Sequence, residues 1–416
     1  MPRLRLGIIG AGALTEWAIL PALSGPDAVA PPDTGAWWGR RPGPHSEIHY
    51  QAPAWPEVVA LADADPKGDP RHAERVAEAA RVRAVYADWR LMLREVDLDA
   101  LLCAASPEVA AEVAVAAAAL PIGSSLRWLW IEGPPAPATD AVLRLAQQLK
   151  GHRLRLWCAR PLRLAAAHRA ARRFLERDHV GAVSALSLRW GTPLHVLEGE
   201  KAKRSAGARD DAYYLASSYA ALDLLLGLSV PSGAGAAPLQ VLAGTCHGAT
   251  SLWVRLASGC TATALFSAAE SWSSTLPRLE ICGTEGRSLI CEAGRRLWLH
   301  EPREAARLLE PPGLAAHVSM ANILGVAEDL KAFITACAES SSGTDDGVGN
   351  ADALLGPARA LQLIEAASAS LASDALVEIA PIRWERPVPT TDSTPTAKEA
   401  TKKDTGAPIA TLPLHL

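Results

Sequence analysis

Short apolar runs alternate with Ala-rich amphipathic stretches through the first 160 residues. The apolar runs predict six strands, LRLGII, EVVALAD, RAVYA, DALLCAA, LRWLWIE and LRLWCA. The stretches between them predict helices at about 13–23, 71–80, 107–119 and 138–150. Strands that alternate with helices indicate βαβ units and a parallel, doubly wound α/β sheet. The strands are almost continuously apolar, as expected where helices cover both faces of the sheet.

From about residue 180 the pattern changes to strands that follow one another directly. These are VSALSLRW, LQVLAGTCH, TSLWVRLA, CTATALFSA, RLEICGT, RSLICEA and RRLWLH. Turn residues such as SG and GTEG separate them, which predicts an antiparallel or mixed sheet. Two helices are expected at about 320–337 and 352–371, followed by a last strand, ALVEIA.

The change of pattern predicts two domains, a doubly wound one over 1–160 and a second α/β domain over 161–385. Residues 24–56, rich in Pro, Gly and Trp, interrupt the first domain as an insertion. This insertion is either a surface loop with its tryptophans packed on the body, or a lid or oligomer contact. Residues 386–416 almost lack core-forming residues, which predicts a disordered tail.

Composition and charge narrow the class of protein. The 416 residues include 41 Lys+Arg and 45 Asp+Glu, so no excess of basic charge points to nucleic acid or anionic lipid. No apolar run approaches the ~20 residues of a membrane span. Neither a signal peptide nor a CxxC pair is recognisable, so we expect a cytoplasmic protein with reduced cysteines and no metal site.

The segment GIIGAGALT joins the first predicted strand to the first predicted helix. Two glycines at this junction let the backbone approach a pyrophosphate, and the helix start supplies free N–H donors. The third glycine of the GxGxxG pattern is replaced by Thr15. The predicted cofactor-binding residues of this turn are Gly10, Ala11, Gly12, Ala13 and Leu14.

An acidic residue at the end of the second strand should accept hydrogen bonds from the ribose hydroxyls. Asp63, in VVALADAD, has that place, although a cap of the next helix or turn is the alternative. Ala64 follows instead of a basic residue that could pair with a 2′-phosphate. The sequence therefore favours NAD as the cofactor, with NADP not excluded.

The order and spacing of several segments resemble the glucose-fructose oxidoreductase / inositol dehydrogenase / MocA family over about residues 4–380. The segments are GIIGAGALTEWAILPAL, VVALADADP, VYADWRLML, DLDALLCAASPEVAAEVA, WIEGPPA, ARPL, HVGAVSALSL, ICGTEGRSLI and ADALLGPARALQLIEAASASLASDALVEI. The resemblance implies a Rossmann-type domain followed by an α/β domain with a large, mostly antiparallel open sheet. It also implies oxidation or reduction of a sugar, cyclitol or related polyol with NAD(P), and a homo-oligomer built through the C-terminal sheet.

Further cofactor-lining residues follow from the same resemblance. Ser106 and Pro107 match the family's turn after the fourth strand, and Glu132 matches the acid of its Glu-Lys-Pro motif. Arg160, in CARPL, matches an arginine near the nicotinamide, with a surface ion pair as the alternative.

The family's catalytic residues are absent. Gly133 stands where the resemblance places the lysine, and with Asp223 fixing the register, Ala216 and Ala220 stand at the Asp and His positions. A hydroxyl that loses a hydride needs a base for its proton, and the lysine would stabilise the developing alkoxide.

Two hypotheses follow from this loss. In the first, an altered oxidoreductase uses another base, for which the candidates are Tyr219, Tyr214 and Lys201. In the second, a non-catalytic pseudoenzyme keeps the NAD site as a regulatory or interaction module.

Overall fold

The computed structural model describes residues 3–12, 14–23, 56–64, 70–82, 84–193, 218–230, 236–246, 249–269, 277–309, 325–340 and 350–382. The predicted tail 386–416 and all but the last residue of the predicted insertion 24–56 lie outside these residues.

The first sheet is parallel and six-stranded, as predicted. Its strands are β1 (Arg5–Ile9), β2 (Glu57–Ala62), β3 (Ala84–Tyr86), β4 (Ala100–Cys103), β5 (Trp128–Ile131) and β6 (Arg155–Cys158). The spatial order is β3-β2-β1-β4-β5-β6, and every neighbouring pair is parallel. The order reverses between β1 and β4, and doubly wound sheets open a ligand crevice at the carboxyl ends of the strands there.

Helices connect these strands. A π-helical turn (Thr15–Ile19) runs into α1 (Leu20–Leu23), and α2 (Pro70–Ala79), α3 (Trp89–Glu95), α4 (Pro107–Ala118) and α5 (Thr139–Gln148) follow. The short helix α3 was not predicted. It begins where the Asp88 carboxylate accepts a hydrogen bond from the Arg90 N–H at 2.9 Å, which satisfies a donor of the first turn.

Two helices, α6 (Pro161–Leu164) and α7 (Ala166–Glu176), lead into the second sheet. Its nine strands are β7 (Val183–Pro193), β8 (Pro238–Cys246), β9 (Ala249–Leu256), β10 (Thr261–Ala269), β11 (Arg278–Gly283), β12 (Ser288–Glu292), β13 (Arg296–His300), β14 (Arg307–Leu309) and β15 (Val377–Glu378). The order is β14-β13-β12-β11-β7-β10-β9-β8-β15, and only β7 and β10 pair in parallel among the described strands. The mostly antiparallel sheet is confirmed, with the short strand β14 in addition to the predicted ones.

Buried and exposed side chains alternate along the strands, so that one face of this sheet packs against the core. In β9 buried and more exposed positions alternate without a break, which places Leu252 and Val254 in the core. Helices α8 (Tyr219–Leu228) and α10 (Asn350–Ser373) pack on the C-terminal sheet, α8 against β7 and α10 against β8.

The last long helices also reach the first sheet. Helix α9 (Val326–Ser340) contributes Leu330 and Phe333 to the core that contains Leu6 and Trp130 of that sheet. The Phe333 ring lies edge-on to Trp157, with 6.0 Å between ring centroids. A domain boundary near residue 160 stays a prediction, and a helix from beyond it completes the core of the first sheet.

Among the described residues no helix combines the length and apolarity that crossing a bilayer requires. The same residues contain no cluster of three His, Cys, Asp or Glu side chains that could hold a metal ion.

Candidate nucleotide and substrate site

The turn after β1 brings the backbone of β1 close to the end of β4. Gly10 has a φ of +102°, and a Cβ on it would lie 2.0 Å from the carbonyl oxygen of Ala104. Its N–H donates to the Ala62 carbonyl of β2 at 2.9 Å. Only glycine fits here, because any side chain meets both a left-handed backbone and a fixed carbonyl.

The second glycine differs from the first. A Cβ on Gly12 would meet no atom within 4 Å, so the backbone borders open space at the mouth of the crevice. Its carbonyl accepts from the Glu16 N–H at 3.1 Å, at the start of the π-helical turn. An exposed backbone at a helix start is the cradle that a pyrophosphate requires.

Thr15 replaces the third glycine of the pattern and stabilises the same turn. Its hydroxyl is fully buried and donates to the Gly10 carbonyl oxygen at 2.6 Å. The substitution therefore fixes the turn with a side-chain hydrogen bond instead of leaving room for close helix packing. The other described residues of the motif are Ala11, which is buried, and Leu14, which is half-buried. Ala13 lies outside the described residues.

Three further predicted residues follow strands at the same edge. Asp63 follows β2 directly, is half-buried, and donates its N–H to the Tyr86 carbonyl at 3.2 Å. Ser106 caps α4, with its hydroxyl oxygen 3.5 Å from the Val109 nitrogen, and Pro107 follows as the first helical residue. The start of α4 therefore follows the end of β4, and a helix start carries N–H groups without intrahelical partners.

The strand end after β5 carries Glu132 and Gly133. The Glu132 N–H donates to the Cys103 carbonyl of β4 at 2.9 Å, and burial raises the pKa of its carboxyl group. Gly133 has a φ of +74°, and a Cβ on it would meet nothing within 4 Å. The space beside Gly133 is open, and the left-handed backbone there favours glycine over lysine.

Arg160, after β6, faces helix α10. Its guanidinium donates to the Ala353 carbonyl at 3.1 Å, and a Cβ on Gly356 would lie 2.7 Å from its Nη2 atom. Its N–H donates to Asp329 of α9 at 3.2 Å. The structure thus gives Arg160 a packing role between two helices, and its contact with a nicotinamide stays a prediction.

Asp329 is a buried acid that the sequence analysis did not identify. Its Oδ2 atom accepts from the indole of Trp130 at 2.6 Å and from the indole of Trp157 at 3.1 Å. Burial raises the pKa of this carboxyl, and the hydrogen bonds from Trp130, Arg160 and Trp157 act in the opposite direction. Asp329 therefore attaches α9 to the ends of β5 and β6. Glu328 and Lys331 lie close to Asp329 in the same helix, so its local sequence gave no signal that singled it out.

Helix α8 contains the position that the resemblance aligns with the family's histidine, and it carries a buried ion pair. Asp223 forms two hydrogen bonds of 2.6 Å with Arg163, and both side chains are buried. Tyr219 is buried too, its hydroxyl has no partner among the described residues, and burial raises its pKa well above the ordinary value. A buried phenol of raised pKa is a poor base, so these data weigh against Tyr219 in that role. Ala220, at the His position, is half-buried.

The remaining predicted residues lie outside the described part of the chain. They are Lys201, Tyr214 and Ala216.

The strand orders define a fold class: a Rossmann-type parallel sheet joined to a large, mostly antiparallel open sheet. No protein-family model and no curated protein matches the sequence. Solved structures do match. Levoglucosan dehydrogenase in complex with NADH and L-sorbose has a TM-score of 0.68 and 17% identity, over 92% of this chain and 100% of that one.

Two other solved structures show the same similarity. myo-Inositol 2-dehydrogenase from Lactobacillus plantarum has a TM-score of 0.64 and 16% identity, over 91% of this chain and 100% of its own. An oxidoreductase domain protein from Kribbella flavida has a TM-score of 0.67 and 17% identity, over 92% and 100%. The chain shares its fold with these solved dehydrogenase and oxidoreductase structures, as the sequence resemblance implied.

Proposed function

We propose that the chain binds NAD in the crevice between β1 and β4 and oxidises or reduces a sugar, cyclitol or related polyol. The observation that carries the proposal is the Gly10–Gly12 turn, where one glycine is required by the backbone and the other borders open space. Two solved structures of the same fold are described as levoglucosan dehydrogenase in complex with NADH and either L-sorbose or levoglucosan.

The residues at the strand ends fit a dinucleotide. The Gly12 backbone and the following helix start would hold the pyrophosphate, and the Asp63 carboxylate would accept from the adenosine ribose hydroxyls. Ala64 provides no positive charge for a 2′-phosphate, which favours NAD over NADP. When bound, the nicotinamide exchanges a hydride with the carbon that bears the substrate's hydroxyl.

A second candidate is a non-catalytic NAD-binding module. The observation that favours it is the loss of polar groups where the family has its catalytic residues. Gly133 leaves open space, Ala220 carries a methyl group, and the neighbouring Tyr219 hydroxyl is buried. This candidate binds NAD with the same residues and gives no turnover.

We also propose that a second copy of the chain docks on the outer face of the C-terminal sheet. Strand register aligns positions of one face across the sheet in one row: Leu308, Trp298, Ile290, Glu280, Ser187, Thr263, Trp253 and Leu242. Of these, Ile290 is buried. Leu308 and Leu242, at the ends of this row, are 42% and 44% exposed. A change of Leu242→Glu should lower the mass measured by light scattering if the proposal holds; an unchanged multimer would contradict it.

The compartment stays a proposal as well. The side chains of Cys103, Cys158, Cys260, Cys282, Cys291 and Cys337 are free thiols, which supports the cytoplasm as a reducing compartment.

One experiment separates the functional candidates. Calorimetric titration of the full chain with NADH and NADPH tests binding, and NADH absorbance after addition of levoglucosan, L-sorbose or myo-inositol with the matching cofactor form tests turnover. Binding of NADH with turnover supports the oxidoreductase, and binding without turnover supports the module. If neither nucleotide binds, both candidates are wrong.

A further inference from the structure

Glu132 is the first residue beyond β5, at the edge where the crevice opens. Its N–H is fixed to the Cys103 carbonyl of β4 at 2.9 Å, and its side chain is half-buried. Among the described residues, no hydrogen-bond donor or cation pairs with its carboxyl group.

The other buried acids of this region differ from Glu132 in this respect. Asp329 accepts from two indoles and a backbone N–H, and Asp223 is paired with Arg163. A desolvated carboxyl without such partners is costly in a structural position, and side chains of this kind concentrate at functional sites.

Gly133, next to Glu132, stands where the resemblance places a lysine, so both the space and the charge beside the Glu132 carboxyl differ from the family pattern. A Cβ at Gly133 would meet no atom of the described residues within 4 Å, which leaves space beside this strand end. With glycine in place of lysine, no ammonium group at this position holds the Glu132 carboxyl in its ionised form.

The neighbouring groups Cys103 and Arg160 do not supply a positive charge that pairs with the Glu132 carboxyl. On β4, burial and the charge of Glu132 raise the pKa of the Cys103 thiol to about 12, so the thiol is neutral. Beyond β6, the Arg160 guanidinium packs against Gly356 and donates to Ala353. Burial raises the pKa of the Glu132 carboxyl above its ordinary value, and a general base works best when its pKa lies close to the operating pH.

We propose that Glu132 is the proton acceptor for the substrate hydroxyl at this site. This rests on the proposed oxidoreductase function. The hydroxyl O–H bond breaks and its proton goes to a Glu132 carboxylate oxygen. The carbon–hydrogen bond breaks and its electron pair leaves as hydride to an oxidised nicotinamide dinucleotide, so that the alcohol becomes a carbonyl. In the reverse direction the protonated Glu132 returns the proton.

The first test measures the proton on Glu132 without turnover. Full-length chain labelled with carboxyl ¹³C-glutamate is titrated by NMR, and Glu132→Gln identifies the resonance. We expect a midpoint above the ordinary range of glutamate, whereas a midpoint within that range overturns the proposal. Glu74→Gln, at an exposed position on α2, is the matched control and should leave that resonance in place.

The second test measures turnover of NAD⁺ with the same polyols. Loss of a positioned base lowers turnover by about 10²–10⁴-fold, so Glu132→Gln should lose activity in this range at saturating NAD⁺, and calorimetry on the variant sets the concentration that saturates it. Glu132→Asp, which keeps the carboxyl, should keep part of the activity and show a shifted pH profile. Full activity in a folded Glu132→Gln protein overturns the role of Glu132 alone. No turnover in wild-type chain that binds NAD⁺ overturns the oxidoreductase function and this role together.

Discussion

The two glycines of the first turn give a sharp test, because the same substitution should act on different properties at each. In Gly10→Ala the added Cβ lies 2.0 Å from the Ala104 oxygen, about 1.4 Å short of an ordinary contact of 3.4 Å. The left-handed backbone costs about 1–2 kcal/mol for an L-residue, and overpacking a closed site costs about 1–3 kcal/mol. The free energy of unfolding should therefore fall by roughly 2–5 kcal/mol.

Gly12→Ala is the matched variant. Its Cβ meets no atom within 4 Å, so the free energy of unfolding should stay within about 0.5 kcal/mol of wild type. The methyl group instead fills the space proposed for the pyrophosphate, and NADH affinity should fall by about tenfold or more, equivalent to about 1.4 kcal/mol.

Urea unfolding measures the stability of both variants, and calorimetry measures their affinity for NADH. The reasoning is refuted if Gly10→Ala unfolds at the same urea concentration as wild type, because the β1–β4 contact would then be looser than the structure shows. Unchanged NADH affinity in Gly12→Ala would remove the proposed pyrophosphate site while leaving the fold intact.

Three further predictions concern buried polar groups, and urea unfolding measures each. Asp329→Ala leaves two indole N–H groups unpaired and should cost roughly 2–5 kcal/mol, whereas Asp329→Asn, which keeps an acceptor, should cost less; equal losses would contradict the hydrogen bonds. Arg163→Met isolates the buried Asp223 charge and should cost about 3–5 kcal/mol, and adding Asp223→Leu should recover part of this loss. Burial lowers the pKa of His168 to about 4, below the ordinary 6.5, so the unfolded chain takes up a proton first as pH falls. Wild type should lose roughly 3 kcal/mol between pH 6.5 and 4, and His168→Gln should show a shallower loss across this window.

Hydrophobic periodicity predicted every described strand of both sheets except β14, because it records which side chains are buried. It could not predict what they are buried against. The hydrogen bond between Trp130 and Asp329 joins residues 199 positions apart, and nothing in either local pattern indicates the other. For the same reason the packing of α9 on the first sheet followed only from the structure.

In the candidate site, too, the sequence predicted local features but not contacts with distant parts of the chain. Gly10 and Gly12 were identified because a tight turn between strand and helix leaves a local signature. Arg160 was assigned from its position alone, and its guanidinium direction depends on α10, which lies far along the chain. Thr15 was recorded as a departure from the glycine pattern, although its hydroxyl stabilises the turn that the pattern describes.

The position of α9 in the first sheet's core also bears on how the protein folds during synthesis. All six strands of that sheet are made by residue 158, but Phe333 and its neighbours are made much later. At about 5–20 residues per second, the ribosome needs roughly 10–40 s to supply them. During this interval the tryptophans of β5 and β6 lack their covering helix. The nascent N-terminal half therefore exposes apolar surface to which a chaperone can bind.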